Sequence, residues 1–108
     1  MSTYLAPDTA RTEKVEARFR QLAQRWREDC AVLSSTTAKA VHPAYQQIIG
    51  LGPDALPLIL RELAETPGHW FWALKAITGE DPVPEQDVGD VRRMAKAWLD
   101  WGRERGYV

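Results

Sequence analysis

The side chains able to do chemistry are few and scattered. The only histidines are His42 and His69, and the only cysteine is Cys30. Metal binding wants ligands at close, regular spacing, and the chain has no Cys-x-x-Cys and no His-Glu-x-x-His. His42, just before Pro43, reads as a helix-start residue, and His69 as a turn residue. Nucleophilic catalysis would need Cys30, Ser34 or Ser35 beside a base. Cys30 instead continues an apolar stripe, where a free thiol packs as a small hydrophobe. The two serines read as helix-end residues. Gly50-x-Gly52 is too little for a phosphate cradle. Glu80, Asp81, Glu85, Asp87 and Asp90 make a carboxylate cluster. Its simplest reading is a solvated loop, with Asp87 or Asp90 capping the helix that follows. The expectation is no catalytic residue, no metal and no cofactor.

Two patterns remain that could bind something. Arg11, Lys14, Arg18 and Arg25 share one flank of a helical stripe and could track phosphates. Long basic side chains also line the edge of an apolar face with their stems packed. Arg20 and Arg27 lie elsewhere on the wheel, and Glu13, Glu16 and Glu28 dilute the field. The second pattern is tryptophan: five residues, four of them in the last forty. Trp26, Trp70 and Trp98 fall on core stripes. Trp72 lies nearly opposite Trp70, and Trp101 is offset from Trp98. Packed between helices, Trp72 would fill a second buried face; exposed, it would be an interface anchor. Trp72, Trp101, Arg18 and Arg25 are the candidates for contacting a partner.

The elements that must carry these residues are helical. With 108 residues, 44% apolar and 27% charged, the composition is that of one globular domain large enough to fold without disulfides. Fourteen basic residues against fifteen acidic ones give no general attraction to nucleic acid or anionic membrane. No run is apolar enough to span a bilayer. The absence of a basic start followed by an apolar run argues against a signal peptide, and a single thiol fits a reducing cytoplasm. Residues 1–11 read as a flexible arm, and residues 12–108 as the domain. A first helix is expected from Thr12, where Val15, Phe19, Leu22, Trp26, Cys30 and Leu33 recur at steps of three and four. Ser34 to Thr37 marks its end or a turn. A second helix opens at Pro43 with Tyr45, Ile48 and Ile49 inward. A third opens at Pro53 with Leu56, Ile59, Leu60 and Leu63 inward. A fourth, from about His69 to Thr78, buries Trp70, Ala73, Leu74 and Ile77. A fifth, from about Gly89 to Arg105, points Val91, Met94, Ala95, Trp98 and Leu99 inward. No run alternates as a strand would.

The segment Gly52-Pro53-Asp54-Ala55-Leu56-Pro57-Leu58-Ile59-Leu60-Arg61-Glu62-Leu63, a break, and then Trp70-Phe71-Trp72-Ala73-Leu74-Lys75-Ala76-Ile77-Thr78-Gly79 resembles a bacterial HEAT repeat. Tyr45 to Gly52 resembles the tail of a preceding repeat. The turn after Ile77, the proline loop and the Trp98/Trp101 pair resemble the ending of short bacterial HEAT-like proteins. The resemblance spans Tyr45 to Asp81, about a third of the chain. It implies an all-α, compact bundle of about five helices with one HEAT-like helix pair at its centre. With one repeat and a fragment, the outer helices must act as caps.

HEAT-like repeats mostly bind proteins, so the resemblance implies a non-catalytic interaction module for a protein partner or a second copy of the chain. One alternative is a small regulator such as an antitoxin, with the basic helix contacting DNA. Another is an enzyme with an unrecognised site. Missing ligand and phosphate motifs set one expectation directly. The purified protein should carry no stoichiometric metal by elemental analysis, and neither ATP nor NAD should raise its melting temperature.

Overall fold

Proline starts helices well because its missing N–H is one that a first turn leaves unpaired anyway, and this chain uses the rule repeatedly. The computed structural model describes residues 7–33 and 35–108. Among them are six α-helices: α1 (Pro7–Asp29), α2 (Thr36–Ala40), α3 (Pro43–Gly50), α4 (Leu56–Glu65), α5 (Phe71–Thr78) and α6 (Val91–Glu104). Single 3-10 turns at Gly52–Ala55 and Glu85–Asp87 precede α4 and α6. No strand occurs among the described residues. The all-α bundle expected from the periodicity is the fold, with one more helix than the stripes alone indicated.

The differences from expectation have local causes. The first helix begins at Pro7, so residues 7–11 are helical and not an arm. The rest of the expected arm, residues 1–6, lies outside the described residues, as does Ser34. The helix ends at Asp29, so the helical period does not carry on to Leu33, which is exposed. Residues 36–40 form α2 and not a turn, with the Ser35 hydroxyl accepting the Ala38 N–H at 3.2 Å. Val91 is exposed because it is the first residue of α6; the buried stripe there is Ala95, Trp98, Trp101 and Gly102.

His42 caps α3 as expected: its Nδ1 accepts the Ala44 N–H at 3.0 Å. The neutral ring therefore carries its proton on Nε2, which donates to Asp29 of α1 at 3.0 Å. Asp90 caps α6, its carboxylate accepting the Arg93 N–H at 3.1 Å. Gly79 closes α5 in the left-handed conformation, φ 70°, a position that favours glycine.

Packing pairs α1 with α3, α3 with α5, and α4 with α6. The pair on which the repeat resemblance rests, α4 and α5, is thus not the closest one. Gly102 explains the α4–α6 approach. A Cβ at Gly102 would sit 2.6 Å from Leu60 Cδ1 and 3.2 Å from Val108 Cγ2. Leu60 is fully buried, so a side chain at 102 would force its methyl to shift within the packed core.

The other half of the core is aromatic. Phe19 and Trp26 from α1, Tyr45 from α3 and Trp70 meet with ring centroids 5.2–5.8 Å apart, and Tyr45 stacks on Trp70 at 10°. Trp26 Nε1 donates to the Lys39 carbonyl at 2.8 Å. The Tyr45 hydroxyl donates to the His69 carbonyl at 2.6 Å and accepts the Ala73 N–H at 3.0 Å. It therefore caps α5 from another helix, because Trp70, at the cap position, has no side chain that can do so.

Burial pushes the Tyr45 hydroxyl up from about 10 to about 12, opposed by the hydrogen bond from Ala73. An acid whose folded value is raised contributes full stability below its ordinary value and loses it as pH rises toward the folded one. Tyr45→Phe should cost about 1–3 kcal/mol at neutral pH, because it strands a buried N–H and a carbonyl. It should also flatten the fall in stability between about pH 10 and pH 12. Urea denaturation at neutral and alkaline pH checks both.

Candidate functional site

Glycine and proline dictate the chain between α5 and α6. Gly79 ends α5, Pro82 and Pro84 hold the next stretch extended, and Gly89 turns it into α6. Side chains pin this loop at both ends. The Thr78 hydroxyl accepts the Glu80 N–H at 3.0 Å, and Asp81 Oδ1 accepts the Val83 N–H at 3.2 Å. Glu80 Oε1 accepts from Arg105 at 3.0 Å and from the Trp101 indole N–H at 3.4 Å. Arg93 reaches Asp87 and Asp90, each at 3.5 Å. Four of the five carboxylates in the cluster, those of Glu80, Asp81, Asp87 and Asp90, thus tether the loop.

Between this loop, α5 and α6 lies a cavity of about 630 Å³. Phe71, Trp72, Val83, Val88, Met94 and Trp98 supply its apolar lining, with Ala76 between them. Lys75 and Asp81 border it and face each other at 3.5 Å. The volume falls in the range of ligand pockets, about 300–1,000 Å³. Trp72 is 45% exposed and Val88 66% exposed, both large apolar side chains left facing water beside the cavity.

Trp98 is fully buried, and its indole Nε1 has no acceptor among the described residues. The matched N–H groups of Trp26 and Trp101 mark the difference. A buried unpaired donor costs about 1–3 kcal/mol.

The four expected partner-binding residues do not converge. Trp72 lines the cavity and is exposed, in contrast to the buried second face its spacing suggested. Trp101 is only 6% exposed and belongs to the core. Its ring packs edge-on to Trp98 at 5.3 Å, stacks on Tyr107 at 5.7 Å and carries the Arg105 guanidinium at 4.6 Å. The C-terminal residues cover it, which its place on the wheel could not reveal. Arg18 donates to Gln47 at 2.7 Å, and Arg25 lies 3.9 Å from Asp29 within α1. Neither arginine borders the cavity.

Two further arginines of α1, Arg11 on that flank and Arg27 off it, are also engaged. Arg11 pairs with Asp54 at 2.7 Å, and Arg27 pairs with Glu62 of α4. Val83 and Val88 are the site features that sequence reasoning missed. Two valines inside an acidic, proline-bounded stretch were the available signal.

Burial pushes the Cys30 thiol up, with the Asp29 charge adding and Lys39 opposing, which disfavours the reactive thiolate. Burial and Lys39 push His69 down. No three metal-ligating side chains converge among the described residues. No described helix is long and apolar enough to cross a membrane.

Compared with known protein families, curated proteins and solved structures, the chain matches none.

The exposures of Trp72 and Trp101 predict opposite phenotypes. Trp101→Ala should cost about 3–5 kcal/mol of monomer stability, the usual loss for a buried tryptophan. Trp72→Ala should stay within about 1 kcal/mol of the parent, as surface changes do. Parallel chemical denaturation separates them.

Proposed function

We propose that this chain is a non-catalytic protein-interaction module that seats a partner on the groove between α5, the 80–88 loop and α6. One observation carries the reading. Trp72 stands half in water beside an apolar cavity while the other four tryptophans are buried. Interface energy concentrates in a few such residues, tryptophan foremost, at the centre of a patch. The resemblance of residues 52–79 to a HEAT repeat supports the same class of function, because such repeats serve mainly as binding scaffolds. A reducing, cytoplasmic setting fits a single cysteine packed in the core.

The geometry supports the alternatives less. For DNA binding through the basic flank, Arg11 would have to leave Asp54 and Arg18 would have to leave Gln47. For catalysis, Cys30 would have to leave the core.

The test uses the full chain and Trp72→Ala side by side. Affinity capture identifies proteins retained by the parent, and titration of each purified protein gives its affinity. Sedimentation velocity reports self-association of both chains. A partner, or a dimer, whose affinity falls at least about 30-fold in the variant supports the reading, which is the loss of about 2 kcal/mol expected of an anchor. Equal affinities for every partner and equal sedimentation would overturn it. So would binding to nonspecific duplex that falls steeply with salt and ignores Trp72.

A further inference from the structure

We propose that His42 is a pH-sensitive latch: when its ring takes a second proton, it releases the Ala44 N–H and the first turn of α3 opens.

The geometry fits only the neutral ring. Nδ1 accepts the Ala44 N–H at 3.0 Å, and Nε2 donates to Asp29 Oδ2 at 3.0 Å. Both nitrogens are in use, in the roles that one neutral tautomer allows. A protonated ring is a donor at both nitrogens. Its Nδ1–H then points at the Ala44 N–H, and the bond that caps α3 becomes two opposed donors. Asp29 lies on the other nitrogen and accepts in either state. The ring therefore stays tethered to α1 while the cap is lost.

Burial gives that loss its reach. Ala44 is completely buried, and the His42 side chain is only 15% exposed. Water replaces the ring at the freed N–H only if the turn opens. A positive charge at a helix start also opposes the helix dipole, and the first turn of α3 holds no acidic side chain to offset it. The residue after Ala44 is Tyr45, whose hydroxyl caps α5, so the turn that opens is the one that places it.

The surrounding charges leave the switching to the ring. From α1, Asp29 faces it directly, and Arg25 lies 3.9 Å from the same Asp29 oxygen, so a charged ring adds a second cation there. From α2 comes Lys39, whose carbonyl accepts the His42 backbone N–H at 3.4 Å. Burial pushes up the thiol of Cys30, next to Asp29. On α3 the one ionisable side chain is Tyr45, pushed up to about 12. Of these residue types, histidine alone ordinarily changes charge between about pH 5 and pH 8.

The experiment is nuclear magnetic resonance of the ¹⁵N-labelled full chain across that range. Ring ¹⁵N resonances report the tautomer and titration of His42, separately from His69. Amide hydrogen exchange, corrected for the intrinsic rate at each pH, gives the protection of Ala44. The expected result is a neutral ring protonated at Nε2. Ala44 protection should fall on acidification by at least about fivefold, the scale of losing one N-cap, with the midpoint of the ring. In His42→Asn the cap is an amide oxygen that does not titrate, so Ala44 protection should stay level. In Asp29→Asn the ring remains, so the fall should persist and still follow it; this variant decides the matter should the first not fold.

A neutral ring protonated at Nδ1, or one that stays neutral throughout the range, overturns the latch. So does Ala44 protection that is unchanged while the ring titrates. A fall that survives in His42→Asn, or vanishes in Asp29→Asn, assigns the effect to another group and overturns it as well.

Discussion

One hydroxyl ties α3 to the first turn of α5. Tyr45 is fully buried and bonds the His69 carbonyl and the Ala73 amide at once. The turn it holds contains His69 at φ 62°, a left-handed conformation that costs a non-glycine residue free energy. The helix it caps has no capping side chain of its own. An isolated eight-residue helix is not stable in water, so α5 exists because α3 and α1 hold its first turn. Everything beyond it inherits that placement: Trp72, the wall of the cavity, and the start of the loop that crosses to α6.

The charged surface has a matching structural logic. Arg11, Arg18 and Arg27 reach from α1 to the 3-10 turn at Gly52–Ala55, to α3 and to α4. Each such contact is weak where water screens it. Together they link α1 to three other elements at the edge of its apolar stripe. A row of arginines beside a stripe is therefore ambiguous in sequence. The carboxylates that answer Arg11 and Arg27 come from Asp54 and Glu62, far along the chain.

That distance also explains what was legible. Helices α1, α3, α4, α5 and α6 announce themselves through three- and four-residue spacing, because each buries one face against a neighbour. Buried Phe19, Leu22, Trp26, Ile59, Leu63, Leu74 and Trp98 all fall where the stripes place them. Helix α2 has too few residues for a stripe. Residues 7–11 lack an apolar period yet lie in a helix that continues past the core. The wheel gives the angle between Trp98 and Trp101 but not what covers each. Arg105 and Tyr107 close over Trp101, while nothing in the described structure closes over Trp72. The cavity was illegible for the same reason. Its lining comes from two helices and a loop, which no local pattern encodes.

Gly102 has a consequence for how this chain can vary in evolution. Glycine inside a helix costs about 1 kcal/mol relative to alanine, so drift alone would replace it. Leu60 and Val108 crowd the space an alanine methyl would need, so the replacement requires their side chains to shift. The two positions, one on α4 and one on α6, are therefore coupled through their packing. A side chain gained at 102 is accommodated most easily alongside a smaller residue at 60, so the pair is expected to covary among descendants although it lies 42 residues apart in the chain.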